Sequence, residues 1–203
     1  MQDHRMTNIA RLRDFVTAMT DVVNRHGDDE AATLAAGRDL LGDLIGTDDW
    51  LPDQFAKPST EGYRQYLLYC DPRERFSVVS FVWGPGQRTP VHDHCVWGMV
   101  GVMRGAERCE EYGNPVRGEA FGKTGEHRIE PGGIDLVSPD IGDVHVVSNA
   151  LDDRPSISIH VYGGNIGAVR RHVFDADSGE PREFISGYHN DVIPNLWDRS
   201  AES

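Results

Sequence analysis

Apolar residues recur at helical spacing in the first quarter of the chain and at strand spacing through most of the rest. Between Ile9 and about Ile45, Leu12, Phe15 and Met19 follow one another by about a turn, and Leu34, Leu40, Leu41 and Leu44 resume the pattern after the break "HGDDE". Two or three helices are predicted there. The segment "GTDDWLPDQFAKPSTEG", dense in Asp, Pro and Gly, reads as a loop and marks the change of period. From Tyr63 to about Phe174 the chain breaks into short strand candidates: "YRQYLLY", "RFSVVSFVW", "WGMVGVMR", "RCEEY", "EHRIE", "GIDLVS", "VHVVSN", "SISIHVY" and "AVRRHVF". Gly, Pro, Asn or Asp clusters separate them. Many short strands at this spacing predict a sandwich or small barrel. The expected architecture is mainly β with N-terminal α-helices, one domain over residues 1–203 with residues 1–50 as a helical extension. The tail "SGYHNDVIPNLWDRSAES" is expected to form a loop or short helix.

Composition narrows the class. A hydrophobic fraction of 38% and 22 glycines suit a turn-rich globular chain. No apolar run approaches the roughly 18 residues that would suggest a spanning helix, so no membrane role is expected. The N-terminal "MQDHRMTNIARLRDFV", with charges at Asp3, Arg5, Arg11 and Arg13, reads as neither a secretory signal nor a transit peptide. A cytoplasmic location is the resulting expectation. Cys70, Cys95 and Cys109 are odd in number and are read as reduced thiols rather than a disulfide framework. A net charge of −13, with lysine only at positions 57 and 123, argues against a nucleic-acid partner.

The candidate chemistry begins in "GPGQRTPVHDHCVWGMVGVMRG", which sets His92 and His94 one residue apart. On a strand such residues share a face while Asp93 takes the other. A single histidine on an apolar face is ordinarily a core residue, whereas two together make a chelating pair. A frame surrounds them: Gly86, five residues, His92-x-His94, three residues, Gly98, six residues, Gly105. Further on come Gly133, five residues, Pro139, two residues, Gly142, two residues, His145, three residues and Asn149. These two frames resemble the signature motifs of the cupin superfamily, the second with one extra residue between Pro139 and Gly142. The resemblance implies a small, jelly-roll-like β-barrel holding a metal through His92, His94 and His145. Where the family usually has a glutamate ligand, this chain has Gly98. Three neutral imidazoles leave a divalent ion its full charge and about three octahedral positions, a site suited to anions such as thiolate.

"SISIHVYGG" alternates, with Ser156, Ser158, His160 and Tyr162 on one face and Ile157, Ile159 and Val161 on the other. Either the polar face meets water, or it lines the barrel while the aliphatic face meets the helices. Ser158-x-His160-x-Tyr162 after a three-histidine cupin site resembles the Ser-His-Tyr relay of the thiol dioxygenases, the cysteine dioxygenase family. That resemblance implies Fe(II), O2 as co-substrate, conversion of a thiol to a sulfinate, and a hydrogen-bonded chain that brings the Tyr162 hydroxyl beside the iron.

The animal-type members hold the substrate carboxylate with the arginine of a "Tyr-x-Arg" strand. Here Tyr63-Arg64-Gln65-Tyr66 puts Gln65 at that place. "RFSVVSFVWGPGQRTPVHDH", "VWG" and "GGNIGAVRRHVFD" are similar to the bacterial Gln-type branch, best represented by 3-mercaptopropionate dioxygenases, with mercaptosuccinate dioxygenase as a relative. The similarity implies that Arg171 anchors the carboxylate, assisted by Gln65. Arg170 is the alternative, because the Gly-rich link before it prevents a count of strand parity. Gly98 also stands where a crosslinking cysteine can occur, so no thioether crosslink to Tyr162 is expected, and Cys95 is expected to be a small pocket-wall residue. The implied partners are a small mercapto-acid and O2, with the oligomeric state open. Rival readings are a mercaptosuccinate or cysteine dioxygenase, another cupin metal enzyme without the relay, and a non-catalytic cupin that binds a small acid.

Overall fold

The computed structural model describes residues 8–199 apart from 115, 117, 119 and 121. Two helices open it, α1 (Ala10–His26) and α2 (Glu30–Ile45). The "HGDDE" break is a capped turn: the Asp29 carboxylate accepts from the backbone N–H of Ala32 at 3.0 Å and starts α2. Helix α1 buries Leu12, Phe15, Met19, Val22 and Val23, and α2 buries Leu34, Leu41, Leu44 and Ile45; Leu40 stays half-exposed. A short 3-10 turn at Asp53–Phe55 interrupts the loop that follows.

Eleven strands make up the rest of the described residues: β1 (Arg64–Cys70), β2 (Ser77–Trp83), β3 (Val91–His92), β4 (Gly98–Arg104), β5 (Glu107–Tyr112), β6 (Lys123–Ile129), β7 (Ile134–Val137), β8 (His145–Asn149), β9 (Ser156–Tyr162), β10 (Arg171–Phe174) and β11 (Pro181–Phe184). They form two antiparallel sheets, ordered β1-β2-β9-β4-β7 and β11-β10-β3-β8-β5-β6. The two-sheet, mainly β architecture with N-terminal helices is the one the strand and helix periods predict. Strand β3 falls in the stretch read as a strand through His92 and His94 but stops at His92, and strand β11 was not anticipated. The first has only two residues, and the second carries "PREF", which lacks alternation and opens with proline. Strand β10 begins at Arg171 rather than Ala168 because residues 164–170 fold as turns.

Strand β9 is buried along its whole length, flanked by β2 and β4. Its Ile157, Ile159 and Val161 join the large core with the helices, alongside Met19, Leu34 and Leu41. Ser156, Ser158, His160 and Tyr162 therefore face the space between the sheets. The helical layer lies close against the sheet. A Cβ at Gly101 in β4 would stand 2.8 Å from Ile45 Cδ1 and 3.1 Å from Leu41 Cδ2, so this position needs glycine for the approach. The tail carries no helix among the described residues; it runs back along β1, where the Asn190 side chain bonds the N–H and C=O of Leu67 at 2.8 and 2.9 Å. No helix among the described residues is long and apolar enough to cross a membrane.

Leu41 is fully buried between α2 and β4. Truncation to alanine is expected to cost about 2–5 kcal/mol by chemical denaturation, because the sheet beneath cannot collapse into the gap.

Candidate active site

Between the two sheets lies a cavity of about 170 Å³, lined from one side by Phe81, His160 and Tyr162 and from the other by His92, His145 and Arg171. The second sheet brings the imidazoles together. His92 of β3 and His145 of β8 are register partners across an antiparallel bridge. His94 lies beyond the end of β3, so strand parity does not place it. Instead the chain turns at Cys95, whose φ of 59° is in the left-handed region. Asp143 fixes that turn, with its carboxylate accepting from the backbone N–H groups of His94 and Cys95 at 2.9–3.1 Å.

The three rings lie 4.8–4.9 Å apart, centroid to centroid, and their nearest donor nitrogens fall within 4.8 Å of one another. Each Nδ1 already has a neighbour: the Pro90 carbonyl for His92 at 3.1 Å, Asp143 for His94 at 2.8 Å, and Cys109 Sγ for His145 at 3.6 Å. That leaves each Nε2 as the free nitrogen. Burial, reinforced by the neighbouring rings, pushes His92 down to about 3 and His145 well below the usual imidazole range. Burial pushes the Asp143 carboxyl up, but hydrogen bonding by His94 and Cys95 outweighs it and holds the group low. Clustered imidazoles, two of them oriented through Nδ1 by a carbonyl or a carboxylate, are the donor chemistry a divalent transition metal requires, so this set fits a metal.

On the opposite wall Ser158, His160 and Tyr162 form a continuous chain. Ser158 Oγ lies 2.8 Å from His160 Nε2, and His160 Nδ1 lies 2.7 Å from the Tyr162 hydroxyl. Trp83 Nε1 donates to Ser158 Oγ at 3.3 Å, which directs the serine proton to His160 Nε2. The neutral ring then carries its hydrogen on Nδ1 and donates to Tyr162, whose own phenolic hydrogen is free for the cavity. Burial pushes His160 well down and the Tyr162 phenol up, which keeps both neutral.

Arg171 is buried, whereas Arg170 is exposed and pairs with Glu183 at 2.8 Å. The Arg171 guanidinium donates to Ser186 Oγ at 2.7 Å and stacks 4.7 Å from the Phe184 ring centre, but its buried Nε has no partner among the described residues. Gln65 lines the same cavity. Its amide nitrogen is already committed to Ser186 Oγ at 3.0 Å and the Gly187 carbonyl at 2.7 Å. Arg64 turns away to Glu61. Sequence reading missed Ser186, which lies in a tail without periodicity, and Asp143, whose only signal is its place two residues before His145. Cys95 is corrected: it is exposed and lies outside the cavity lining, because the turn at φ 59° swings it away from the imidazoles. Asp93 faces the other way and binds His172, with its carboxylate accepting from the backbone N–H at 2.7 Å and lying 2.8 Å from Nδ1.

A family model described as cysteine dioxygenase type I matches residues 45–175. The chain belongs to the cysteine dioxygenase type I family. Membership points to thiol dioxygenase chemistry at a non-haem metal, and the buried histidine cluster lies within the matched span. Solved structures of similar fold include a Klebsiella pneumoniae protein with a double-stranded β-helix domain, 22% identical over 60% of this chain and 95% of that one, with a TM-score of 0.45. Another is a cupin-like protein from Thermotoga maritima, 20% identical over 64% of this chain and 90% of that one, also at 0.45.

Gly98, which the sequence marks as a missing ligand of the cupin pattern, has a steric reason in the fold. It pairs in register with Tyr162, and a Cβ there would meet the tyrosine ring at 2.7 and 2.9 Å and Val137 at 3.0 Å. Gly98→Ala is expected to push the Tyr162 ring aside and lower turnover about 10-fold or more, since displacements of about 1 Å carry such penalties. A metal content unchanged from wild type, measured by elemental analysis, would locate the effect at the tyrosine.

Proposed function

We propose that this protein is a thiol dioxygenase acting on a small mercapto-carboxylic acid, 3-mercaptopropionate in first place, with Fe(II) held by His92, His94 and His145. The overall conversion is R–SH + O2 → R–SO2H. The observation that carries the substrate class is the buried Arg171 Nε, without a partner among the described residues, in the same cavity as His92 and His145. A buried cationic donor left unsatisfied is costly, and a substrate carboxylate satisfies it with a charge-assisted hydrogen bond. Iron, when bound, supplies a site for thiolate and O2 and the redox chemistry.

The chain's own residues do the rest. Arg171 anchors the carboxylate. Ser186, which accepts from both Arg171 and Gln65, has its hydroxyl hydrogen free to donate to the same carboxylate. Gln65 thereby assists through Ser186, holding the tail against β1. Tyr162, kept neutral and oriented by His160 and Ser158, offers a hydrogen-bond donor at the reacting end. Phe81 stacks on His160 at 4.1 Å and excludes water from the relay. We place the reaction in the cytoplasm.

Purified Fe(II)-loaded protein is expected to consume one O2 per 3-mercaptopropionate and release the sulfinate, measured with an oxygen electrode and mass spectrometry. Chelation of the metal abolishes uptake. No uptake with any small mercapto-acid overturns the reading in favour of an acid-binding cupin. Arg171→Ala is expected to lower kcat/KM about 10–100-fold, mainly through KM, from the roughly 1.5–3 kcal/mol of a charged hydrogen bond, while Arg170→Ala is expected to leave it unchanged.

One observation favours a second reading, a dicarboxylic thiol such as mercaptosuccinate. Arg182 of β11 lines the same cavity and makes no hydrogen bond or ion pair among the described residues. If a second carboxylate docks there, Arg182→Ala will raise KM for mercaptosuccinate and leave that for 3-mercaptopropionate unchanged. Equal effects on the two thiols exclude it.

A further inference from the structure

His145 lines two cavities. One is the site described above; the other, of about 320 Å³, lies between β5 and β6 of one sheet and β7 of the other. Cys109 and His127 are register partners on β5 and β6, and Asp135 comes across from β7. Their donor atoms, a thiol sulfur, an imidazole nitrogen and a carboxylate oxygen, lie within 4.8 Å of one another. Cys109 is buried, whereas the His127 and Asp135 side chains are 40% and 23% exposed, so the group opens to solvent on one side.

The surroundings are acidic. Glu111, Asp135 and Asp143 line this cavity, and among the described residues no Lys or Arg does. Asp135, Glu111 and the fully buried Glu107 act on Cys109, and each disfavours a thiolate that has no cation beside it. His127 is shared between two of the acids: Nε2 donates to Asp135 at 2.6 Å, and Nδ1 lies 3.5 Å from Glu111. A divalent cation is the compensation that such a cavity lacks. Sulfur, nitrogen and oxygen donors together suit a borderline ion such as Zn²⁺, which can take three protein ligands and leave a fourth position to water.

We propose that Cys109, His127 and Asp135 form a second metal site, for Zn²⁺ or an ion of like preference, separate from the three-histidine cluster and joined to it through His145. On loading, the Cys109 proton leaves to solvent as the sulfur bonds the ion. The hydrogen that His127 Nε2 gives to Asp135 moves to Nδ1, beside Glu111, and frees both Nε2 and the carboxylate for the ion. One thiolate and one carboxylate then offset its two charges. Cys109 Sγ lies 3.6 Å from His145 Nδ1, so the bound thiolate accepts from Nδ1–H and holds Nε2 toward the first cavity. His92 and His94 have a carbonyl and a carboxylate in that place, and His145 gains its anionic partner in this way. The link to His145 rests on the metal reading of the three histidines; the second site itself does not.

Metal-free full-length protein titrated with Co(II) gives the test, because a cobalt–thiolate bond produces a charge-transfer band in the near ultraviolet. The three-histidine cluster has no sulfur, so it contributes nothing to that band. Wild type is expected to bind two equivalents and to show the band. Cys95→Ser, which takes away the thiol beside Asp93 and His172, should keep it. Cys109→Ser is expected to bind one equivalent and to lack the band. His127→Ala, which removes a partly exposed ring, should weaken the band-forming equivalent by at least about 10-fold, the smallest loss seen even for groups that only support a ligand. In His92→Ala the band should persist, which separates failure of the first site from failure of the second. Absence of the band from wild type overturns the proposal whatever the variants do, and so does a band that survives Cys109→Ser or keeps its full affinity in His127→Ala. The link to His145 has its own readout. His127→Ala should also weaken the equivalent held by the three histidines, and an unchanged affinity there overturns the link.

Discussion

Everything in this molecule turns on a single strand that is buried on both faces. Strand β9 has a β-strand on either side, the helices packed on one face and the barrel interior on the other, so none of its side chains reaches water. An apolar face satisfies such a strand on the helical side, where Ile157, Ile159 and Val161 pack. The inward polar face has only one inexpensive solution, which is to bond to itself. Ser158, His160 and Tyr162, spaced two apart, do so in line at 2.7–2.8 Å. Burial forces the hydrogen bonds to be made, and the made bonds fix the tautomer and aim the phenol.

The second sheet answers with the opposite arrangement. Its inward histidines are oriented from behind through Nδ1, so their bonding capacity points into the cavity instead of being spent within the wall. Burial keeps His92 and His145 unprotonated, and Arg171, held by Ser186 and Phe184, sets a buried positive charge in the same cavity. A chain with a net charge of −13 thus keeps an interior suited to anions. Exposed acidic groups are screened within about 10 Å by ordinary salt, whereas a buried guanidinium is screened far less.

Much of this was legible before any coordinates. Alternation in "SISIHVY" gives the two faces of β9, and the helix periods give the layer that covers one of them. Where the sequence was silent, the cause is geometric. His94 reaches the cluster through a left-handed turn at Cys95, not through strand parity, and no period marks such a turn. Strand β11 and Ser186 sit in a polar, proline-containing stretch with no alternation, and they matter only because the tail folds back on β1. The family match likewise ends at residue 175, short of them. Glu107 reads from sequence as one more acid in "ERCEEY", and only the burial of its carboxyl sets it apart from Glu110 and Glu111.

Gly98 ties the two walls together. Read from sequence alone, it is a missing ligand, since the cupin pattern usually has a glutamate there. In the folded chain the space in front of its Cα belongs to the Tyr162 ring, which would lie 2.7 Å from any Cβ. The same ring stacks 5.4 Å from His94. A fourth protein ligand on this strand and a tyrosine beside the histidine cluster therefore compete for one volume. Without a side chain at position 98 the imidazoles remain the only protein donors in the cluster among the described residues, and the phenol can approach them. Room in front of the histidine cluster and the approach of the Tyr162 phenol are two results of the same absent Cβ, and this gives a steric reason for the two features to occur together in one chain.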